Sequence, residues 1–151
     1  MILTLLALLA FAAIVSLPVV EPWFLRRRER KRLERCSVSP DELHSMLKSG
    51  QRVVVFDVRK PGDLLSQAQV IPGSRRVPPK DIITNPAMVP RNKVAVFYCT
   101  CPDEETSRRA MRRARDLGLF QVRVLQGGLV AWKAHGYPVE AYNPFPFDIA
   151  S

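Results

Sequence analysis

The stretch from Lys93 to Leu117, KVAVFYCTCPDEETSRRAMRRARDL, narrows the possible folds more than any other part of the chain. Val94–Tyr98 is a short run rich in β-branched and aromatic residues, the pattern of a buried strand. From Ser107 to Leu117 the residues Ala110, Met111, Ala114 and Leu117 fall on one helical face. Arg108, Arg109, Arg112, Arg113 and Arg115 take the rest, so this segment reads as an amphipathic helix. A buried strand that feeds a helix is half of a βαβ unit and points to a parallel sheet. The loop between them holds Cys99 and Cys101. Near the unpaired N–H groups and positive dipole of a helix entrance, a cysteine is biased toward its thiolate.

The flanking sequence extends this pattern. Ser39-Pro40-Asp41-Glu42 is a capping box with proline at the first helical position, so a helix is expected to about Lys48, ended by Gly50. Val53–Val58 is apolar until Asp57, as in a strand covered on both faces. A short helix within Asp63–Gln69, a turn at Ile71–Ser74 and a brief strand at Arg76-Val77 follow. Pro78–Val89 reads as irregular and proline-rich, with one turn of helix around Asp81–Ile83. After Gly118 come a strand at Val122–Leu125, a turn at Gly127-Gly128 and a helix at Leu129–Ala134. The tail from Pro138 is expected along the surface. Strands alternating with helices over such a length predict a parallel α/β sheet with helices on both faces.

The N-terminus is different in kind. Met1–Val20 carries no charged side chain, which suits a helix of ~20 residues crossing a hydrocarbon core of ~30 Å. Its basic residues, Arg26–Arg28, Arg30–Arg32 with Lys31, and Arg35, come after the apolar run, the reverse of a cleaved signal. Trp23 and Phe24 sit where interfacial aromatics belong. By the positive-inside rule the N-terminus lies outside and the rest in the cytoplasm. The expected organisation is an anchor over 1–25 in the cell (inner) membrane and a basic juxtamembrane linker over 26–36. A globular domain over 37–142 and a tail over 143–151 follow. The lipid bilayer is then one partner, with the basic linker attracted to anionic headgroups.

The chain has 23 Lys and Arg against 14 Asp and Glu, a net +9. Residues 21–35 contribute +4 of it, and the +5 over 36–151 comes without aromatic interleaving or a nucleic-acid motif, so no nucleic-acid partner is expected. Three cysteines, two of them one residue apart, are no disulfide framework and suit a reducing compartment. A Cys-x-Cys pair falls short of the four ligands of a closed soft-metal site. Cys36, His44 and His135 are not placed to complete one, and no metal or other cofactor is expected. Both histidines read as surface or helix-end residues. A Cys-x5-Arg phosphatase loop is absent, because Ser107 follows Cys101 by six and Glu105 follows Cys99 by six.

Four elements together resemble the rhodanese-like family of sulfurtransferases, and the two-cysteine loop with its proline and acidic residues is similar to that of the family's bacterial membrane-associated members. Phe56-Asp57-Val58-Arg59 is similar to the family's "DVR" after the first buried strand, and Ile71-Pro72-Gly73-Ser74 to the end of its "GHIPGA". Leu125–Trp132 is similar to "L-x-GG-x-x-A-W", and Gly136-Tyr137-Pro138-Val139 to "GYPV". The resemblance covers roughly 37–142. It implies the rhodanese fold and transfer of sulfane sulfur through a cysteine persulfide. It also implies a sulfur donor and a thiol acceptor as partners, and Asp57 and Arg59 as structural residues bracing the active loop. Gln69-Val70 departs from the usual Gly-His. The six-residue loop Cys101-Pro102-Asp103-Glu104-Glu105-Thr106, followed by Ser107 and Arg108, lacks glycine and carries three acids.

Two cysteines compete for the role of nucleophile. Cys99 follows the strand as the family's catalytic cysteine does, whereas Cys101 stands at the matching distance from the helix. Because amides at the helix entrance must face the sulfur, distance to the helix favours Cys101. The other thiol is then a resolving partner, half of a redox pair, or a small buried hydrophobe. N–H groups of residues 102–107 and the hydroxyls of Thr106 and Ser107 are the expected donors. A carboxylate at ~5 Å and an effective dielectric of ~20 opposes an incoming anion by ~3 kcal/mol before screening. Asp103, Glu104 and Glu105 therefore disfavour thiosulfate, unless Arg108 and Arg109 fold back over the loop. A thiol persulfide or a protein partner is the better donor. The alternative is a catalytically silent, membrane-tethered docking module whose acidic loop is a recognition surface.

Overall fold

The computed structural model describes residues 34–143. The anchor over 1–25, most of the basic linker and nearly all of the tail lie outside the described residues. The globular unit begins at Ser37.

Five strands form one parallel sheet: β1 Ser37–Val38, β2 Val53–Asp57, β4 Arg75–Arg76, β5 Val94–Tyr98 and β6 Val122–Leu125. Their order is β1-β6-β5-β2-β4, with β2 and β5 in register from Val53↔Val94 to Asp57↔Tyr98. Helix α1, Pro40–Lys48, starts as the capping box predicts: Ser39 Oγ accepts the Glu42 N–H at 3.1 Å. The Glu42 carboxylate instead reaches Arg123, 3.3 Å away.

Helices cover both faces. Leu43 and Met46 of α1 and Leu129 and Trp132 of α5, Gly128–Ala134, form one buried cluster with Val55, Val96, Tyr98 and Leu125. Successive strand residues point to opposite faces, so Phe56, Ala95, Phe97 and Val124 turn the other way. On that side lie Ile82 of α3, Pro79–Thr84, and Ala110, Met111 and Ala114 of α4, Glu105–Asp116. Helix α2 spans Pro61–Ser66.

Several local expectations need correction. Pro78–Val89 is ordered as α3 and a 3-10 turn at Pro86–Met88, because its prolines stand at first helical positions, where no N–H is needed. The brief strand is Arg75–Arg76, and β1 escaped notice because two residues carry no periodicity. The segment after Pro138 is not merely laid on the surface. Glu140–Ala141 forms β7, antiparallel to β3, Gln69–Val70. The Tyr142 N–H extends the pairing to Ala68 O at 2.8 Å. His44 is a packing residue, stacked on Tyr137 with ring centroids 4.0 Å apart and edge-on to Trp132.

Asp57 and Arg59 form an ion pair withdrawn from water, at 1% and 0% exposure. Arg59 NH2 and Nε donate to Asp57 Oδ2 at 2.5 and 2.9 Å. Two further guanidinium hydrogens go to Gln67 O at 2.7 Å and Gln69 O at 2.9 Å. Arg59 thus braces the 67–69 backbone rather than the cysteine loop. Removing one partner leaves a bare buried charge, so Arg59→Ala should lower unfolding free energy by about 3–5 kcal/mol, and Asp57→Asn combined with Arg59→Met by less. Urea denaturation measures both; a single-variant loss below about 1 kcal/mol would contradict the pair's structural role.

Candidate active site

Both cysteines sit where β5 hands over to α4, beyond the C-terminal ends of the parallel strands, the usual ligand side of such sheets. Cys99 is 1% exposed and Cys101 half-buried. Their sulfurs approach within 2.7 Å, closer than two non-bonded sulfurs normally rest and longer than a disulfide of about 2.0 Å. Both are free thiols.

The loop between Cys101 and the helix has an unusual backbone. Asp103 and Glu104 both adopt positive φ, 56° and 52°, a left-handed conformation that costs a non-glycine residue about 1–3 kcal/mol. Side-chain bonds hold it. Glu104 Oε1 accepts the Gly127 N–H at 2.6 Å, and Oε2 accepts Arg108 Nε and NH2 at 2.8 and 2.5 Å. Ser107, fully buried, donates from Oγ to Glu104 O at 3.0 Å. The Glu104 N–H turns to Cys101 O at 3.3 Å, not to the sulfur. Of the amides at this helix entrance, the Thr106 N–H donates to Cys101 Sγ at 3.4 Å.

The acids are therefore not all ranged against the sulfur. Arg108 folds back onto Glu104, and Arg109 pairs with Glu105 at 2.7 Å on the exposed side. Asp103 is exposed. Burial works against ionisation of Cys101. Hydrogen bonds from the Cys99 thiol, the Thr106 hydroxyl and amide, and its own amide outweigh it and hold Cys101 below the ordinary thiol pKa. Cys99 moves the other way, pushed up by burial and then by its bond to the Cys101 sulfur. The two sulfurs are in direct contact, either one able to donate to the other, and Ser107 Oγ lies 3.5 Å from Cys99 Sγ.

Two groups of residues matter to this site beyond those singled out in the sequence. One is the glycine pair that opens α5, Gly127 as its cap and Gly128 as its first residue. Gly127 and Gly128 have φ of 66° and 54°, and a Cβ on Gly128 would stand 2.1 Å from Cys99 O. That close approach lets the Leu129 N–H bond Cys99 O at 3.0 Å. The other is Tyr98, buried directly before Cys99. Its hydroxyl donates to Asp57 Oδ2 at 3.3 Å, contacts Ser74 Oγ at 3.1 Å and accepts the Ile71 N–H at 3.3 Å. Burial and the Asp57 charge raise its pKa well above the phenol range. A tyrosine in an otherwise apolar strand needs a polar partner, a signal that could have found it. Among the described residues no group of His, Cys, Asp or Glu is arranged to hold a metal.

The model of the rhodanese-like domain matches residues 39–135, and the chain belongs to that family. It is 26% identical over 104 residues to a sulfurtransferase of Allochromatium vinosum, covering 69% of this chain and 94% of that protein. It is 30% identical over 109 residues to a probable adenylyltransferase/sulfurtransferase MoeZ of Mycobacterium tuberculosis, 68% of this chain but only 26% of that protein's length. A Lactobacillus plantarum protein of known structure shares the fold at a TM-score of 0.67 and 21% identity, over 77% of this chain and 96% of its own.

Two outcomes follow from the geometry. In the native protein Cys101 should alkylate first, its rate rising at lower pH than for a free thiol of pKa about 8.5, while Cys99 stays protected. Arg108→Ala leaves the Glu104 charge uncompensated and should move the Cys101 profile to higher pH. Rates of iodoacetamide labelling read by peptide mass against pH decide both; equal labelling of the two thiols would contradict them. Gly128→Ala must push Cys99 O aside and should lower stability by about 1–3 kcal/mol in urea.

Proposed function

We propose that the domain is a sulfurtransferase in which Cys101 accepts sulfane sulfur and carries it as a persulfide. The Cys101 thiolate attacks the outer sulfur of the donor, the donor's remaining thiolate leaves, and a thiol acceptor then removes the sulfur from Cys101. The observation that carries this reading is the convergence of the Thr106 N–H and the Cys99 thiol on one accessible sulfur at a helix entrance. Pro102 through Arg108 form the loop around the incoming group. The relative from Allochromatium bears the name sulfurtransferase, which supports the same chemistry.

Thiol persulfides or a persulfide-bearing protein are better donors than thiosulfate. Pairing offsets Glu104 and Glu105, but it supplies no surplus positive charge at the sulfur to hold a dianion. The apolar run over 1–20 and the basic residues from Arg26 support a single-pass anchor, with the domain on the cytoplasmic side of the cell membrane.

Incubation of the full chain carrying Cys99→Ser, which leaves Cys101 as the one thiol of the loop, with one equivalent of cysteine persulfide, followed by alkylation and peptide mass, tests the acceptor. Sulfur should pass to Cys101, and Cys101→Ser should abolish uptake; persistence of uptake in that variant would remove Cys101 from the role. Thiosulfate should load the protein more slowly than the persulfide. Failure of both donors would favour a silent docking module.

A further inference from the structure

The second thiol is placed to do more than donate a hydrogen bond. Cys99 Sγ lies 2.7 Å from Cys101 Sγ, and of the two residues Cys99 is buried and Cys101 half-buried. Cys99 therefore lies against the sulfur that receives the added atom, within the reach a thiol needs to displace a leaving group in disulfide exchange. The Cys99 backbone is fixed: its carbonyl is held by the Leu129 N–H at 3.0 Å and hemmed in by Gly128. Ser107 Oγ, 3.5 Å from Cys99 Sγ, holds the thiol from below.

We propose that Cys99 is a resolving thiol that discharges the Cys101 persulfide as hydrosulfide, giving the domain a thiol-dependent, sulfide-releasing activity. The proposal rests on Cys101 being the sulfur acceptor. In the loaded state the outer sulfur of Cys101–S–S⁻ carries the negative charge. Cys99 Sγ bonds to Cys101 Sγ, the bond from Cys101 Sγ to the outer sulfur breaks, and the Cys99 proton goes to the departing sulfur. The products are a Cys99–Cys101 disulfide and HS⁻. The sulfane sulfur is reduced by two electrons, and the two cysteines are oxidised by two. Two equivalents of a small thiol, oxidised together to their disulfide, restore the pair. A competing acceptor thiol intercepts the persulfide only if it attacks faster than Cys99.

The test uses the full chain, reduced, freed of thiol, kept without oxygen, and given one equivalent of cysteine persulfide. Intact mass and released sulfide are followed together. Wild type should lose two hydrogens and release one hydrosulfide per chain, retaining no added sulfur. Cys99→Ser, which keeps a donor beside Cys101, and Cys99→Ala, which should load more slowly, should both keep the added sulfur on Cys101 and release none. Two variants guard against a misfolded replacement, and wild type without donor should remain a dithiol. Wild type that holds the added sulfur as long as the Cys99 variants do would overturn the resolving role and leave the carrier reading intact. Folded Cys99 variants that take up no sulfur at all would overturn both.

Discussion

A salt bridge shut away from water ties together the ends of the central strands. Asp57 closes β2, and Arg59 follows it into a region where the parallel ladder has run out of partners. The guanidinium supplies what the ladder does not, two donors for the carbonyls of Gln67 and Gln69. Tyr98, opposite Asp57 in register, adds its hydroxyl to the same carboxylate and receives the Ile71 N–H. A buried pair of this kind gains little over an apolar filling, but it is costly to half-remove. Its structural effect is to tie the ends of β2 and β5 to the backbone of residues 67–71. The cysteine loop starts at the residue after Tyr98, one member of this network.

On the far side of the loop Glu104 plays the matching part. In the sequence it stands among three acids beside a sulfur and looks like a source of repulsion. In the fold its carboxylate is shared between the Gly127 amide and Arg108. That fixes two consecutive left-handed residues without a glycine between them. The arrangement also explains why the departure from a glycine-bearing loop is tolerated: side-chain bonds supply the conformation that glycine would otherwise allow at little cost. Glu104 is thereby an anchor between two helix entrances, with its charge largely spent.

How much of this was legible in the sequence follows from the range of each interaction. The strands Val94–Tyr98 and Val122–Leu125, the capped helix from Pro40 and the helix after the cysteines are local patterns, and they fold where periodicity and capping put them. Short pieces such as Ser37–Val38 and Glu140–Ala141 are strands only because a partner lies alongside, so no window of sequence contains their cause. The same limit applies at the site. The i, i+4 spacing of Glu104 and Arg108 was visible as a condition, that the arginine fold back, but the choice between solvent and Glu104 depends on the Gly127 amide holding the carboxylate in place. Expected donors from 102 to 107 narrowed to Thr106 for a related reason: left-handed turns at 103 and 104 aim the Glu104 N–H at a carbonyl.

The choice between Cys99 and Cys101 could not be made by counting residues from the strand or from the helix, because the two counts disagree. Depth decides it. One sulfur is buried at the strand end, where ionisation is opposed by desolvation; the other is half-open and collects donors. The buried thiol lies against the other sulfur, 2.7 Å away, which ties the fates of the two. On the proposed cycle that contact favours ionisation of Cys101 before loading, and when Cys101 gains a sulfur the proximity remains. On the proposed cycle the same contact limits the lifetime of the persulfide. A loop that only stored sulfur would have no use for a thiol at position 99, and the resolving step is what that thiol adds.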